Sequence, residues 1–242
     1  MSLRRRLRRL VRRAGYDLVA LPANRFEAQE DGLRGIRARG FVPHIVVDGG
    51  ANVGVWTAMA RPIFPDAAFH LVEPQPVCAP ALDGIAGVTV HHVALTRPGI
   101  TTVRMADAVG LGGAWVADGH PEEASALAVP ATTLDALFGG LVTRTARALI
   151  KLDLEGHELT ALEGATAVLG AAEVVVIEVT FFDFDRRGFA TFTNFVTFMR
   201  DRGFLLYDVL SLHSRRRDGR LRTGDVMFVR GDSSLVSDAG WE

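Results

Sequence analysis

Past residue 40 the chain alternates short, β-branched runs with amphipathic stretches, and most of the runs stop at a glycine, a proline or an acid. His44–Asp48 (HIVVD) stops at Gly49-Gly50, and Ala68–Glu73 (AFHLVE) stops at Pro74. Val88–Leu95 (VTVHHVAL), Ala148–Asp153 (ALIKLD) and Glu173–Val179 (EVVVIEV) continue the series. Helical periodicity lies between them: through Val55, Trp56 and Met59, over Glu158 to Leu169, and over Phe189–Arg202, which Gly203 ends. Thr133 is a suitable N-cap for the LDALF stretch that follows it. Runs that are apolar on both faces belong inside a mostly parallel sheet covered on each side by helices, an α/β fold. The last two runs, Leu205–Leu210 and Asp225–Arg230, are separated by a polar loop too short for a crossover helix, so they are expected to pair antiparallel. Two further short strands, ITTVRM and ALAVPA, flank a glycine-rich loop near residue 112.

Charge is unevenly spread along the 242 residues. Seven arginines fall between Arg4 and Arg13, so the remaining chain carries −8 of a net charge of −1. On a helical wheel Leu3, Leu7, Leu10, Val11, Ala14 and Leu18 share one side of this segment. Such a helix either packs its apolar stripe on the body or lies on an anionic membrane surface, making residues 3–18 a candidate peripheral contact. The division expected is a basic amphipathic helical segment over 1–39 and one catalytic domain over 40–242. An acidic body without an aromatic platform argues against a nucleic-acid partner. The single cysteine, Cys78, excludes an internal disulfide or a thiolate zinc cluster. With no secretory signal and no apolar stretch long enough to span a bilayer, the expected location is cytoplasmic.

In a parallel sheet, ligands bind at the carboxyl ends of the strands. The first such end reads Asp48-Gly49-Gly50-Ala51-Asn52-Val53-Gly54. Its spacing does not fit the dinucleotide fingerprint GxGxxG. It resembles the DxGxNxG loop of nucleotide-fold methyltransferases, with Asn52 where positive φ is tolerated best after glycine. Glu73 ends the second run, where a carboxylate can accept both hydrogen bonds of a ribose diol. S-adenosylmethionine carries that diol, no phosphate, and positive sulfonium and ammonium groups that suit an acidic loop.

Residues 150–165 read IKLDLEGHELTALEGA. Lys151, Asp153, Glu155, Gly156, Glu158, Leu162, Gly164 and Ala165 resemble the signature of the FkbM-type methyltransferases. VVDGGANVG, LVEP, VAL, TTLDAL and VVVIEV agree in order, so the resemblance extends over roughly residues 40–230. His92-Val93 and Trp115 depart from the family pattern. The resemblance implies a Rossmann-like class I methyltransferase fold, with a mostly parallel seven-stranded sheet and an antiparallel last strand. It implies methyl transfer from S-adenosylmethionine, usually to oxygen, on a sugar, glycan or other secondary metabolite.

On this reading Asp48, Gly49, Gly50, Asn52, Gly54 and Glu73 form the cofactor site. Lys151, Asp153, Glu155 and His157 are the catalytic candidates, with Glu155 or His157 as general base. Asp153 and Glu178, at neighbouring strand ends, are a candidate magnesium pair by analogy with metal-dependent relatives. His70, His91 and His92 lie in strands and are read as packed or surface residues. The loop HSRRRDGRLR offers Arg215, Arg216, Arg217, Arg220 and Arg222 to an anionic acceptor, or else is a solvated hairpin. Two other functions fit the same outline: a catalytically silent module docking on membranes or glycan-synthesis partners, and a nicotinamide oxidoreductase. The glycine spacing disfavours the oxidoreductase, and the acids at 153, 155 and 178 disfavour silence.

Overall fold

A computed structural model describes residues 25–106, 115–116, 127–183 and 188–237. Helix α1 (Arg25–Ala38) precedes strand β1 (Ile45–Gly49), helix α2 (Val55–Ala60) and strand β2 (Ala68–Val72). Helix α3 (Ala79–Asp83) and strands β3 (Val88–His91), β4 (Ala94–Leu95), β5 (Thr102–Ala106), β6 (Trp115–Val116) and β7 (Leu127–Thr132) follow. Then come α4 (Leu134–Phe138), β8 (Leu149–Leu152), α5 (Glu158–Glu163), α6 (Thr166–Ala171), β9 (Val174–Thr180), α7 (Phe192–Arg200), β10 (Phe204–Ser214) and β11 (Leu221–Arg230).

The main sheet has seven strands in the order β10-β11-β9-β8-β1-β2-β3. Strands β9, β8, β1, β2 and β3 pair in parallel, and β11 runs antiparallel to both β9 and β10. This is the Rossmann-like class I arrangement with its antiparallel last strand. Buried side chains alternate across the sheet as the pleat dictates. Val47, Ile150, Val175 and Phe228 pack with α4 to α7, while Val46, Leu149, Val174 and Met227 pack under α1 and α2 with Phe41 and Phe64. Among the described residues no helix is long and apolar enough to cross a membrane.

Three local readings change. The run Val88–Leu95 is two strands, because the Val93 N–H bonds back to the His91 carbonyl and turns the chain. Ala94–Leu95 then pairs with Ala131–Thr132 in a second, four-stranded sheet of order β4-β7-β5-β6. The helix expected over Glu158–Leu169 breaks at Gly164, where a Cβ would run into the Thr96 carbonyl oxygen and the Thr133 side chain. The final hairpin is longer than expected, with strands reaching Ser214 and starting at Leu221. Thr133 does cap α4, its Oγ1 accepting from Ala136 N at 3.0 Å. His70 and His91 stack on each other and meet Phe138 edge-on, as packed residues. Residues 25–38 of the amphipathic segment form α1 and bury Gln29, Leu33 and Ile36; residues 3–18 lie outside the described residues.

Candidate active site

The carboxyl ends of β1, β2 and β8 meet β4 around a solvent-open cleft of about 640 Å³. Gly50, Asn52, Glu73, Gln75, Asp153, Glu155 and His157 give it polar walls, and Val93, Leu95, Met105 and Val116 line its apolar side.

The loop after β1 is shaped from behind. Gly50 has φ +74°, and a Cβ there would overlap the Asp153 carbonyl. Its glycine therefore permits close approach of β8 to β1. Gly54, at φ +83°, leaves room for Ile85. Asn52 takes φ 49°, the left-handed conformation that its short polar side chain tolerates. Glu73 locks the loop from the other side. Its Oε2 accepts from Asn52 N at 2.9 Å and its Oε1 from Gln75 N at 2.9 Å. Each oxygen keeps a further lone pair for a diol.

Asp48 and Lys151 do not face the cleft. Asp48 is fully buried, accepts from Thr57 Oγ1 at 2.7 Å, and pairs with Lys151 Nζ at 2.9 Å. Lys151 also donates to the Gly50 carbonyl at 3.0 Å. Its ammonium stays charged because Asp48 and Asp153 outweigh the cost of burial. The geometry makes this pair a strut beneath the glycine loop, rather than the cofactor contact (Asp48) or catalytic group (Lys151) expected.

The motif after β8 opens into the cleft through two successive positive-φ residues, Glu155 (φ 53°) and Gly156 (φ 98°). Glycine suits position 156 because of its φ, and a Cβ there would also press on the Phe189 ring at 2.8 Å. Burial and neighbouring Asp153 raise the Glu155 carboxyl above the usual range. His157 Nε2 lies 3.3 Å from Thr96 Oγ1. Glu158 is buried and holds the turn, accepting from Leu154 N at 2.7 Å and Gly156 N at 3.2 Å. Burial pushes it up to about 7.

Asp153 and Glu178 do come together, and with Glu158 their oxygens lie within 4.8 Å of one another. A side chain of the same chain already joins the two. Arg25 Nη2 donates to Asp153 at 2.7 Å and to Asp225 at 2.9 Å, and Nη1 donates to Glu178 at 3.1 Å. With this guanidinium in place the pair does not fit a magnesium ion, since a positive charge already bridges the two acids and takes one oxygen of each. Desolvation and Asp153 raise the Glu178 carboxyl strongly, against the pull of the Arg25 charge. The sequence reading missed Arg25 and Asp225. Asp225, an acid opening the apolar run DVMFVR, was a visible signal, whereas Arg25 is one of 26 arginines.

The β10–β11 turn rises from the same sheet edge as the cleft. Arg222 lies close enough to Glu155 to favour its ionised form. Arg220 lies over the Phe182 ring at 4.0 Å, Arg215 pairs with Asp218, and Arg216 and Arg217 are exposed.

The family model described as Methyltransferase FkbM domain matches residues 48–206. Among curated proteins no match is found. Similar solved structures include a methyltransferase FkbM from Methylobacillus flagellatus KT, at 16% identity and TM-score 0.48, covering 76% of this chain and 43% of that one. The chain thus spans less than half the length of that protein. Magnesium protoporphyrin IX methyltransferase from Synechocystis PCC 6803, solved with bound SAM, is 13% identical at TM-score 0.44 over 92% of this chain and 89% of that one. An rRNA methylase from Streptococcus thermophilus is 14% identical at TM-score 0.48 over 87% and 99%.

Proposed function

Because this chain belongs to the FkbM methyltransferase family, we propose that it moves a methyl group from S-adenosylmethionine to a hydroxyl oxygen on a sugar, glycan or secondary metabolite. The observation that carries this reading is the Glu73 carboxylate at the end of β2, fixed by two backbone N–H groups at the wall of the cleft. The bound cofactor supplies an electrophilic methyl carbon on a sulfonium.

This chain's residues do the rest. Glu73 accepts the two ribose hydroxyls, and the apolar wall from Val93 to Val116 shields a flat ring from water. Asp153 and Glu155 favour positive charge at the cleft. Glu155, lifted toward working pH, accepts the acceptor's hydroxyl proton, and His157 is the alternative base. Holding acceptor and donor in line contributes much of the remaining acceleration. The arginines of the β10–β11 turn suit an acceptor bearing phosphate or carboxylate. The enzyme would work in the cytoplasm, with residues 3–18 able to rest on an anionic membrane surface.

Calorimetric titration of S-adenosylmethionine tests the assignment. Wild type is expected to bind at micromolar level, and Glu73→Ala to bind about a hundredfold or more weakly, having lost two charge-assisted hydrogen bonds. A folded wild type, free of copurified cofactor, that binds nothing would sink the proposal. Thermal unfolding of the variant checks that the loop itself survives.

A further inference from the structure

Arg25 stands outside the matched span of residues 48–206, as does one of its three partners, Asp225. It is the first residue of α1, and it reaches Asp153 just after β8, Glu178 in β9 and Asp225 in β11, which are 128, 153 and 200 residues away in sequence. Its guanidinium spreads three donated bonds over three carboxylates that would otherwise repel one another in a site of low exposure. Asp225 is held on both oxygens, since its other oxygen accepts from Ser211 Oγ. Asp153 also lines the cleft.

We infer that Arg25 is the resident cation of this acid cluster, doing there what a divalent ion does in metal-dependent methyltransferases. Its charge, together with that of Lys151, favours the ionised Asp153 at the wall of the cleft, and it stands where a magnesium ion would have to sit. Planar guanidinium geometry suits three separated carboxylates, whereas a small divalent ion draws its oxygens into an octahedron. The meaning for catalysis rests on the methyl-transfer reading; the placement of the charge does not. Arg25 is a positioning residue here, since it acts through Asp153.

The probe is manganese, titrated by calorimetry into wild type, Arg25→Ala, and Arg25→Ala combined with Glu178→Gln. Wild type is expected to show no saturable manganese binding and no rise in melting temperature. Arg25→Ala is expected to bind at least about tenfold more tightly than wild type, since three acids are then without their cation. The added Glu178→Gln should reverse that gain. Manganese binding by wild type equal to that of Arg25→Ala, or no gain in Arg25→Ala, overturns the inference. If Arg25→Ala does not fold alone, refolding by manganese supports the inference and failure to refold overturns it. S-adenosylmethionine titrated into the same wild-type sample keeps the two questions apart. Absent cofactor binding removes the methyl-transfer reading and leaves the manganese result standing.

Discussion

Adding one methyl group at Gly50 tests how the glycine loop is built. In Gly50→Ala the new Cβ sits 2.9 Å from the carbonyl carbon of Asp153 and inside the envelope of its oxygen. Neither atom belongs to a flexible side chain, so β1 and β8 must separate at their carboxyl ends. The bonds at risk are Asp153 N to Gly49 O at 3.1 Å, Gly50 N to Val72 O at 2.9 Å, and Lys151 Nζ to Gly50 O at 3.0 Å. Left-handed backbone strain costs about 1–2 kcal/mol, and losing one or two of these bonds about 1 kcal/mol each. With residual crowding, the total is about 3–5 kcal/mol. For a chain of this size that lowers the melting temperature by roughly 6–20 °C. Gly40 is the internal control: its φ is +89°, and nothing lies within 4 Å of a Cβ there. Gly40→Ala therefore isolates the backbone term, about 1–2 kcal/mol. Thermal and urea unfolding of the two variants measure the difference. Equal losses in both would refute the argument that Gly50 exists to let β8 approach.

Other substitutions separate support from chemistry. Lys151→Met leaves Asp48 buried without its cation and should cost about 3–5 kcal/mol in urea unfolding, whereas Lys151→Met with Asp48→Asn should recover much of it; no recovery would argue against the strut. Glu158 has a folded value of about 7, above its unfolded one. The native state therefore holds the extra proton, and stability falls as pH rises from about 4.5 to 7. Glu158→Gln should match wild type near pH 4.5 and exceed it by on the order of 3 kcal/mol at pH 8, and parallel stability curves would contradict the assigned burial cost. Serine at 215, 216 and 217 should raise KM for the natural acceptor and leave cofactor binding intact; an unchanged KM would remove the anionic acceptor.

The sequence by itself determined the sheet and the strand ends that border its cleft. Runs such as Val174–Ile177 are apolar at every position because both faces are buried, so parallel strands were legible without coordinates. The positive-φ turn at Asn52 and Gly54 was legible because glycine and asparagine tolerate that backbone best, and Glu73 was legible as the acid that ends the second run. Tertiary structure decided which charged groups are walls of the cleft and which are supports. Parity along β8 places Lys151, Asp153 and Glu155 on one side, yet only the packing of β1 against β8 turns Lys151 onto Asp48. The break in Val88–Leu95 and the break at Gly164 arise from a second sheet and from the Thr96 segment, contacts that local periodicity does not encode. Arg25 marks the limit most clearly. An ion pair carries no sequence signature when its partners lie 128 to 200 residues away, because charge complementarity is set by three-dimensional distance and burial.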